Sequence, residues 1–423
     1  MARKMKDSGI EWIGEIPEEW SKNKVIRLFD IIGSGTTPKN ITSDFPVVNW
    51  IQSGDITGSF MPTCKNVISA NLLSQYSALK VYPAPFIIIA MYGASVGNAS
   101  ISLIDGCVNQ ACCVLSSPSC NLHYAFYVIK SAQSYLVRKA VGGGQPNISQ
   151  ETIKQLWLPL PPLSTQDIIV RNLDATCSKI DDLLSSVHAS IEEYKKLKQA
   201  VITLAVTKGV RGEREMKDSG VEWIGKVPSK WNCIKIKFLI LEIRKRIAGK
   251  EGYTVLSITQ TGIKPKNISS NEGQLADSYS NYQLLHFGEF AMNHMDLLTG
   301  WVDISNYNGV TSPDYRVFSL KDTITNHPRY FLYLMQMCYF NRIFYSMAQG
   351  VSSLGRWRLQ SDKFLNCIFP VPSIEEQKEI SAYLDTTCSE IDKLIAKKEQ
   401  LVKELESYKK SLIYEVVTGK REV

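Results

Sequence analysis

Four features of this 423-residue chain carry residue types that could do chemistry: a glycine-rich stretch, an acid–lysine pair, scattered histidines and ten cysteines. GSGTTP at 33–38 lacks the third glycine and the Lys-Ser/Thr pair with which a phosphate loop cradles a nucleotide. ETIK at 151–154 supplies the acid and lysine of a metal-dependent nuclease half-motif. It has no second acid at useful spacing and reads as a solvated loop. His123, His188, His286, His294 and His327 stand singly, without a Cys or carboxylate at ligand spacing. His294, in NHMDLLTG with Asp296 two residues on, is expected in an exposed turn with a recognition or capping role. Cys64, Cys107, Cys112, Cys113, Cys120, Cys177, Cys233, Cys338, Cys367 and Cys388 contain no C-x-x-C pair and read as reduced structural thiols. H-E-x-x-H and G-x-S-x-G are absent. The expectation is a chain without catalytic chemistry, metal or cofactor of its own.

Binding is the alternative, and the organisation of the chain favours it. Hydrophobic residues make up 44% and charged residues 21%, the balance of a chain that folds around apolar cores. No apolar run reaches the roughly 20 residues of a membrane span. The first residues lack the apolar core of a secretory signal, so the cytoplasm is the expected location. The net charge of +7 is uneven: residues 21–157 hold ten basic against five acidic side chains, and residues 232–368 fifteen against ten. Two basic blocks suit two contacts with a polyanion.

The phrase MKDSGIEWIGEIPEEW at 5–20 returns as MKDSGVEWIGKVPSKW at 216–231, an offset of 211. The same offset lays LPLPPLSTQ over FPVPSIEEQ and LDATCSKIDDL (173–183) over LDTTCSEIDKL (384–394). Between these phrases the copies look unrelated, so one frame carries two different inserts. In the repeated phrase Trp12, Ile13, Ile16 and Trp20 are expected to anchor the fold.

After each proline-rich exit, Ser164 with Asp167 and Ser373 with Glu376 form S-x-x-acid starts of helices. A helix from about 164 to 208 carries a seam of Leu173, Thr176, Ile180, Leu183, Val187, Ser190, Tyr194, Leu197, Val201 and Leu204. Its copy carries Leu384, Thr387, Ile391, Leu394, Lys398, Leu401, Leu405, Tyr408, Leu412 and Glu415. Seams of this period cannot be hidden by one helix, so the two pack on each other, antiparallel if a pseudo-two-fold relates the halves. Lys398 and Glu415 interrupt the seam and are expected at a partner contact. The inserts read as mixed α/β. FPVVNWI (45–51) and APFIIIAMYG (84–93) are buried strands, and residues 121–141 and 326–350 each form a helix ending at glycine.

These ordered phrases resemble the DNA specificity (S) subunits of type I restriction-modification systems. FIIIAMYGASVGNASI with VNQACCVL resembles one variety of first insert, and FGEFAMNHMDLLTGW with GVSSLGRWRLQSDKF another. The resemblance implies an α+β (mixed) fold: two globular α/β target recognition domains separated by two long helices packed as an antiparallel coiled coil. It divides the chain into a first recognition domain with its leader (1–157), a central spacer helix (158–211), a second recognition domain with the repeated leader (212–368) and a C-terminal spacer helix (369–423). It implies that each domain reads half of a bipartite site in double-stranded DNA, that the helices set the gap and dock two methyltransferase (M) subunits, and that restriction/translocase (R) subunits join the complex. S-adenosylmethionine, ATP and Mg would be bound by those partners. Two readers on one face of a duplex need half-sites about one helical turn, roughly 34 Å, apart.

The expected DNA contacts in the first insert are Ser34, Thr36, Thr37, Lys39, Tyr92, Ser95, Arg138, Lys139, Gln145 and Asn147. In the second they are Arg244, Lys245, Arg246, Lys264, Lys266, Ser352, Ser353, Arg356 and Arg358. Cations place the domain on phosphates, while Arg, Asn, Gln and Ser read base edges. A stand-alone nuclease or methyltransferase with an unfamiliar motif, and a coiled-coil connector with no DNA role, remain the alternatives.

Overall fold

The computed structural model describes residues 3–39, 41–142, 145–242, 246–268, 276–348 and 358–423. Two compact units emerge, one of Met1–Val187 with Gln400–Val423, the other of His188–Glu399. No helix among the described residues is long and apolar enough to cross a membrane.

In the first unit the repeated phrase folds as a hairpin, Met5–Asp7 against Glu15–Pro17. Trp12, Ile13, Ile16 and Trp20 are buried behind it. The next residues, Ser21–Lys24, pair antiparallel with the proline-rich exit strand Trp157–Leu160. The insert therefore leaves and returns through one two-stranded ribbon. That is why the repeated phrases lie at its two borders.

The insert contains β1 (Ile31–Gly33), β2 (Val47–Ile51), β3 (Phe60–Met61), β4 (Val67–Ser69), β5 (Phe86–Ala90), β6 (Ala99–Ser102), β7 (Cys107–Val108) and β8 (Cys112–Ser116). Its main sheet has the order β1-β8-β5-β6-β3, and a second sheet the order β7-β2-β4. All five residues of β5 are buried, as the unbroken run FIIIA demands of a strand covered on both faces. The expected single helix over 121–141 breaks at Ala132 into α1 (Leu122–Ser131) and α2 (Gln133–Arg138). Then α3 (Leu163–Lys208) begins. Ser164 falls inside its first turn, where Gln166 Nε2 donates to the Pro161 carbonyl at 2.9 Å.

The second unit repeats this plan. The hairpin Met216–Asp218 with Lys226–Pro228 and the ribbon Asn232–Lys235 with Ile368–Val371 frame its insert. Here β9 (Ile240–Glu242), β10 (Leu256–Thr259), β11 (Gly262–Pro265), β12 (Gln283–Leu285), β13 (Phe290–Met292), β14 (Val302–Ile304), β15 (Gly309–Thr311) and β16 (Arg316–Leu320) appear. The sheet order β9-β16-β13-β14 matches β1-β8-β5-β6, and β10-β11 and β12-β15 are separate pairs. The inserts thus share a fold, although the 211 offset shows no likeness between them. Helix α4 (Pro328–Phe340) ends near Arg342, whose φ of 57° is left-handed, and α5 (Ile374–Val417) follows the second exit strand. The Ser373 hydroxyl lies 3.4 Å from the Glu376 N–H, in the expected capping position.

Within each unit segments of α3 and α5 run antiparallel. In the first, Tyr124 on α1 donates its hydroxyl toward the carbonyls of Pro159 and Val417, while further along Lys409 meets Asp181 at 2.5 Å. In the second, Tyr330 on α4 reaches Pro370 and Val206, and Lys198 meets Asp392 at 2.7 Å.

The packed stripe differs from the expected seam by one residue at alternate steps. Leu173, Cys177, Ile180 and Ile191 are buried, as are Ile202 and Ala205. Val187, Tyr194, Val201 and Leu405 are half-buried, whereas Leu183, Leu197, Leu204, Leu394, Leu401 and Tyr408 stand exposed. On α5 Leu384, Cys388, Ile391, Val402 and Leu412 are among the buried positions. Adjacent leucines such as Leu183 and Leu184 defeat the pattern, because either satisfies a heptad. Lys398 lies within the helix pair, its ammonium 5.6 Å from the Tyr194 ring centroid. The Glu415 carbonyl accepts from the Lys420 N–H, at the last turn of α5.

Candidate nucleic-acid interface

The catalytic candidates resolve into structural roles. ETIK lies not in a loop but in a short helix, Gln150–Lys154, started by the Ser149 hydroxyl accepting from the Thr152 N–H. His294 is buried, not exposed, and its carbonyl accepts the Leu359 N–H at 3.0 Å. The His327 Nδ1 sits 3.2 Å from the Ser381 hydroxyl. Among the described residues no group of His, Cys, Asp and Glu could hold a metal ion. The cysteines are all free thiols, seven of them buried.

Polar groups gather where the main sheet of the first insert ends. The pairs Val114↔Gly33 and Cys112↔Ala90 fix the register of β8 with β1 and β5. Carried two residues beyond the β8–β5 pairing and four beyond the β8–β1 pairing, that register aligns Gln110 with Tyr92 and with Thr37. The Thr37 hydroxyl accordingly donates to Gln110 Oε1 at 2.6 Å. Loop 33–37 lies against the chain entering β8. A side chain on Gly35 would place its Cβ 1.6 Å from the Val108 carbonyl oxygen, so only glycine fits this approach. Tyr82 donates its hydroxyl to the Ser34 carbonyl, and the Lys39 N–H reaches the Tyr76 hydroxyl.

On the other side of Gln110, Tyr92 bridges Asn147 and the Gly93 N–H donates to the Pro146 carbonyl. Gly93 adopts φ 76°, a left-handed turn that carries Tyr92 and Ser95 past the sheet end. Of the first-insert candidates, Ser34, Thr36, Thr37, Tyr92, Ser95 and Asn147 thus come together, with Gln145 and Lys39 exposed beside them. Arg138 and Lys139 do not join this cluster. Arg138 lines a cleft of about 330 Å³ beside Ser407, Lys410 and Ser411 of α5, and Lys139 lies over the Tyr135 ring. Asn109 and Gln110 do join it, and sequence reasoning passed over them. Their signal was faint: uncharged polar residues directly after one strand and before another.

In the second insert Arg244, Lys245, Ser352, Ser353 and Arg356 lie outside the described residues. Lys264 is exposed on β11, and the Lys266 N–H donates to the Val255 carbonyl. Arg358 is exposed next to the Leu359 contact with His294. Arg246 is already engaged, its guanidinium paired with Glu289 at 2.5 Å. A cleft of about 1150 Å³ separates the Gln260–Gly262 turn and Leu298 from the helix pair. Of its cations, Lys195, Lys198 and Arg329 pair with Glu192, Asp392 and Asp385, and Arg342 and Lys393 line it as well.

Buried hydroxyls hold each insert to the helices. Tyr127 donates to Asp174 and Tyr333 to Asp385, each at 2.6 Å. Burial first, then these carboxylate contacts, push both phenols well above their ordinary range. Burial, with neighbouring Lys409 second, lowers the pKa of Lys130, whose ammonium donates to the Gly58 carbonyl.

Comparison with known proteins gives this arrangement its family. The family model for the type I restriction modification DNA specificity domain matches residues 17–193 and 235–404. The MjaVIII type I restriction enzyme specificity subunit of Methanocaldococcus jannaschii is 25% identical over 310 residues, 70% of this chain and 69% of the relative. The EcoBI specificity subunit of Escherichia coli is 22% identical over 404 residues, covering 86% and 82%. Among solved structures, a chain from a study of complex assembly and conformational transition of the type I R-M system superposes with a TM-score of 0.70 at 13% identity. That match covers 95% of this chain and 98% of the other. The HsdS subunit from Thermoanaerobacter tengcongensis gives 0.50 at 14% identity, covering 96% and 98%. With most of its length matched in two consecutive segments, the chain belongs to the type I restriction-modification DNA specificity family and is a specificity, not a catalytic, subunit.

Proposed function

We propose that the two inserts are separate target recognition domains, residues 1–157 and 212–368 with their leaders, each reading one half of a bipartite site in double-stranded DNA. The observation that carries this reading is the repeated frame around two inserts of one fold and different sequence. Near-identical anchors support unlike reading surfaces. The polar sheet end around Thr37, Tyr92 and Asn147 is the reading edge of the first domain. Lys264, Lys266 and Arg358 contact DNA in the second.

The helices, residues 158–211 and 369–423, set the gap between half-sites and receive two methyltransferase subunits. Their exposed apolar residues support this: Leu183, Leu401 and Tyr408 in one unit and Leu197, Leu204 and Leu394 in the other offer anchors for a partner's helices. S-adenosylmethionine, ATP and Mg belong to the methyltransferase and restriction/translocase subunits, and the complex acts in the cytoplasm. The test is selection from a randomised duplex pool by the chain co-purified with its methyltransferase subunits. The expected outcome is one bipartite consensus. Equal recovery of all sequences refutes the reading.

A further inference from the structure

The polar sheet end of the first insert singles out one side chain. Gln110 occupies a corner of the turn Asn109–Cys112, closed by the Cys112 N–H donating to the Asn109 carbonyl at 3.3 Å. The turn is fixed from several sides. The Asn109 N–H donates to the Ile51 carbonyl, and Asn109 Oδ1 accepts from the Ala111 N–H. The chain then enters β8, which has β1 and β5 on either side. Gln110 itself is exposed. Its Oε1 accepts from the Thr37 hydroxyl at 2.6 Å, and the Ser34 hydroxyl lies 3.5 Å from its carbonyl. The close approach at Gly35 keeps the loop carrying Thr37 in place.

A carboxamide oxygen has two acceptor sites and its nitrogen two donors. Thr37 occupies one acceptor site. The second remains, and Nε2 has no partner among the described residues. A free acceptor beside a free donor matches N6–H and N7 on the major-groove edge of adenine. Gln145, the other exposed glutamine of this cluster, has no comparable contact holding its amide among the described residues, and preorganisation is what a reading residue requires.

We propose that Gln110 is a base-reading residue of the first recognition domain, specific for an adenine, and that Thr37 is its positioning residue. This rests on the reading of residues 1–157 as a recognition domain. The experiment is selection from a randomised duplex pool by the complex, comparing wild type with Gln110→Ala, Thr37→Val and Thr37→Ser, each confirmed as folded by its melting temperature. The expected result is that Gln110→Ala loses preference at one adenine position of one half-site, by about tenfold or more. Thr37→Val weakens the same position, while Thr37→Ser, which keeps the hydroxyl, preserves it. A wild-type consensus that Gln110→Ala leaves intact, or binding that weakens equally for all sequences, overturns this inference alone. A wild-type complex without any consensus overturns the reading beneath it.

Discussion

Tyr124 and Tyr330 each direct a single hydroxyl donor toward two backbone carbonyls, one on the exit strand and one on the last turns of a long helix. Replacing either by Phe leaves buried acceptors without a donor. Urea unfolding is expected to show a loss of about 1–3 kcal/mol for each variant. These tyrosines also set an alkaline limit. Burial raises the phenols of Tyr124 and Tyr330, and burial with a carboxylate contact raises those of Tyr127 and Tyr333. Burial alone pushes the thiols of Cys107 and Cys120 to about 11. A folded-state pKa above the unfolded value means that the folded state keeps protons which the unfolded chain releases. Stability from these groups is therefore complete below the unfolded values, 9.0 for Cys and 10.0 for Tyr, and falls as pH rises beyond them. Urea midpoints measured from neutral to alkaline pH are expected to stay level with respect to these groups and then decline from about pH 9. A midpoint unchanged at pH 11 would contradict the burial of these side chains.

At the scale of elements, the two long helices carry a buried and an exposed set of apolar side chains that the heptad pattern merges. Buried Leu173 and Ile180 hold the helix pair, so Leu173→Ala or Ile180→Ala is expected to cost about 2–5 kcal/mol in chain stability. Leu183 and Leu394 are 53% and 41% exposed, so Leu183→Asp or Leu394→Asp should change stability by no more than about 0.5 kcal/mol. Co-purification with the methyltransferase subunits should nevertheless weaken, if those leucines anchor the partner. Calorimetry of the chain alone beside pull-down of the complex distinguishes the two roles. Helix existence and extent were legible in the sequence because an apolar period of three and four, sustained along Leu163–Lys208, fits neither a strand nor a loop. The seam was legible only at every seventh residue, since Leu183 and Leu184 fit equally well and only the packed partner chooses between them. The sheet-end cluster was half legible. Thr37 and Tyr92 announced themselves in glycine-bordered loops, whereas Gln110 became visible only when the register of three strands aligned it with both.

For the whole molecule, the informative comparison is between the two inserts. Tyr124 and Tyr127 on α1 correspond in role to Tyr330 and Tyr333 on α4, a separation of 206 residues, not 211. A fixed offset aligns Tyr124 with Met335 and hides the equivalence. Compensating length differences inside the inserts restore the register by Ile148 and Leu359, whose N–H groups donate to the carbonyls of Met91 and His294. The shared frame thus reaches into each insert as far as the strands and helix that carry it, and variation is left to the loops. That division makes exchange feasible. Each insert enters and leaves through one antiparallel ribbon, and each unit has its own buried cluster around Trp20 or Trp231. Replacing residues 21–157 with the corresponding segment of another family member that keeps tyrosines at positions 124 and 127 should therefore give a folded chain. Its complex should select a consensus altered in one half-site, with the other half-site and the gap unchanged. Selection from a randomised duplex pool reads all three together. An exchange that alters both half-sites would show that recognition is not divided between the inserts. An unaltered consensus would place recognition outside residues 21–157.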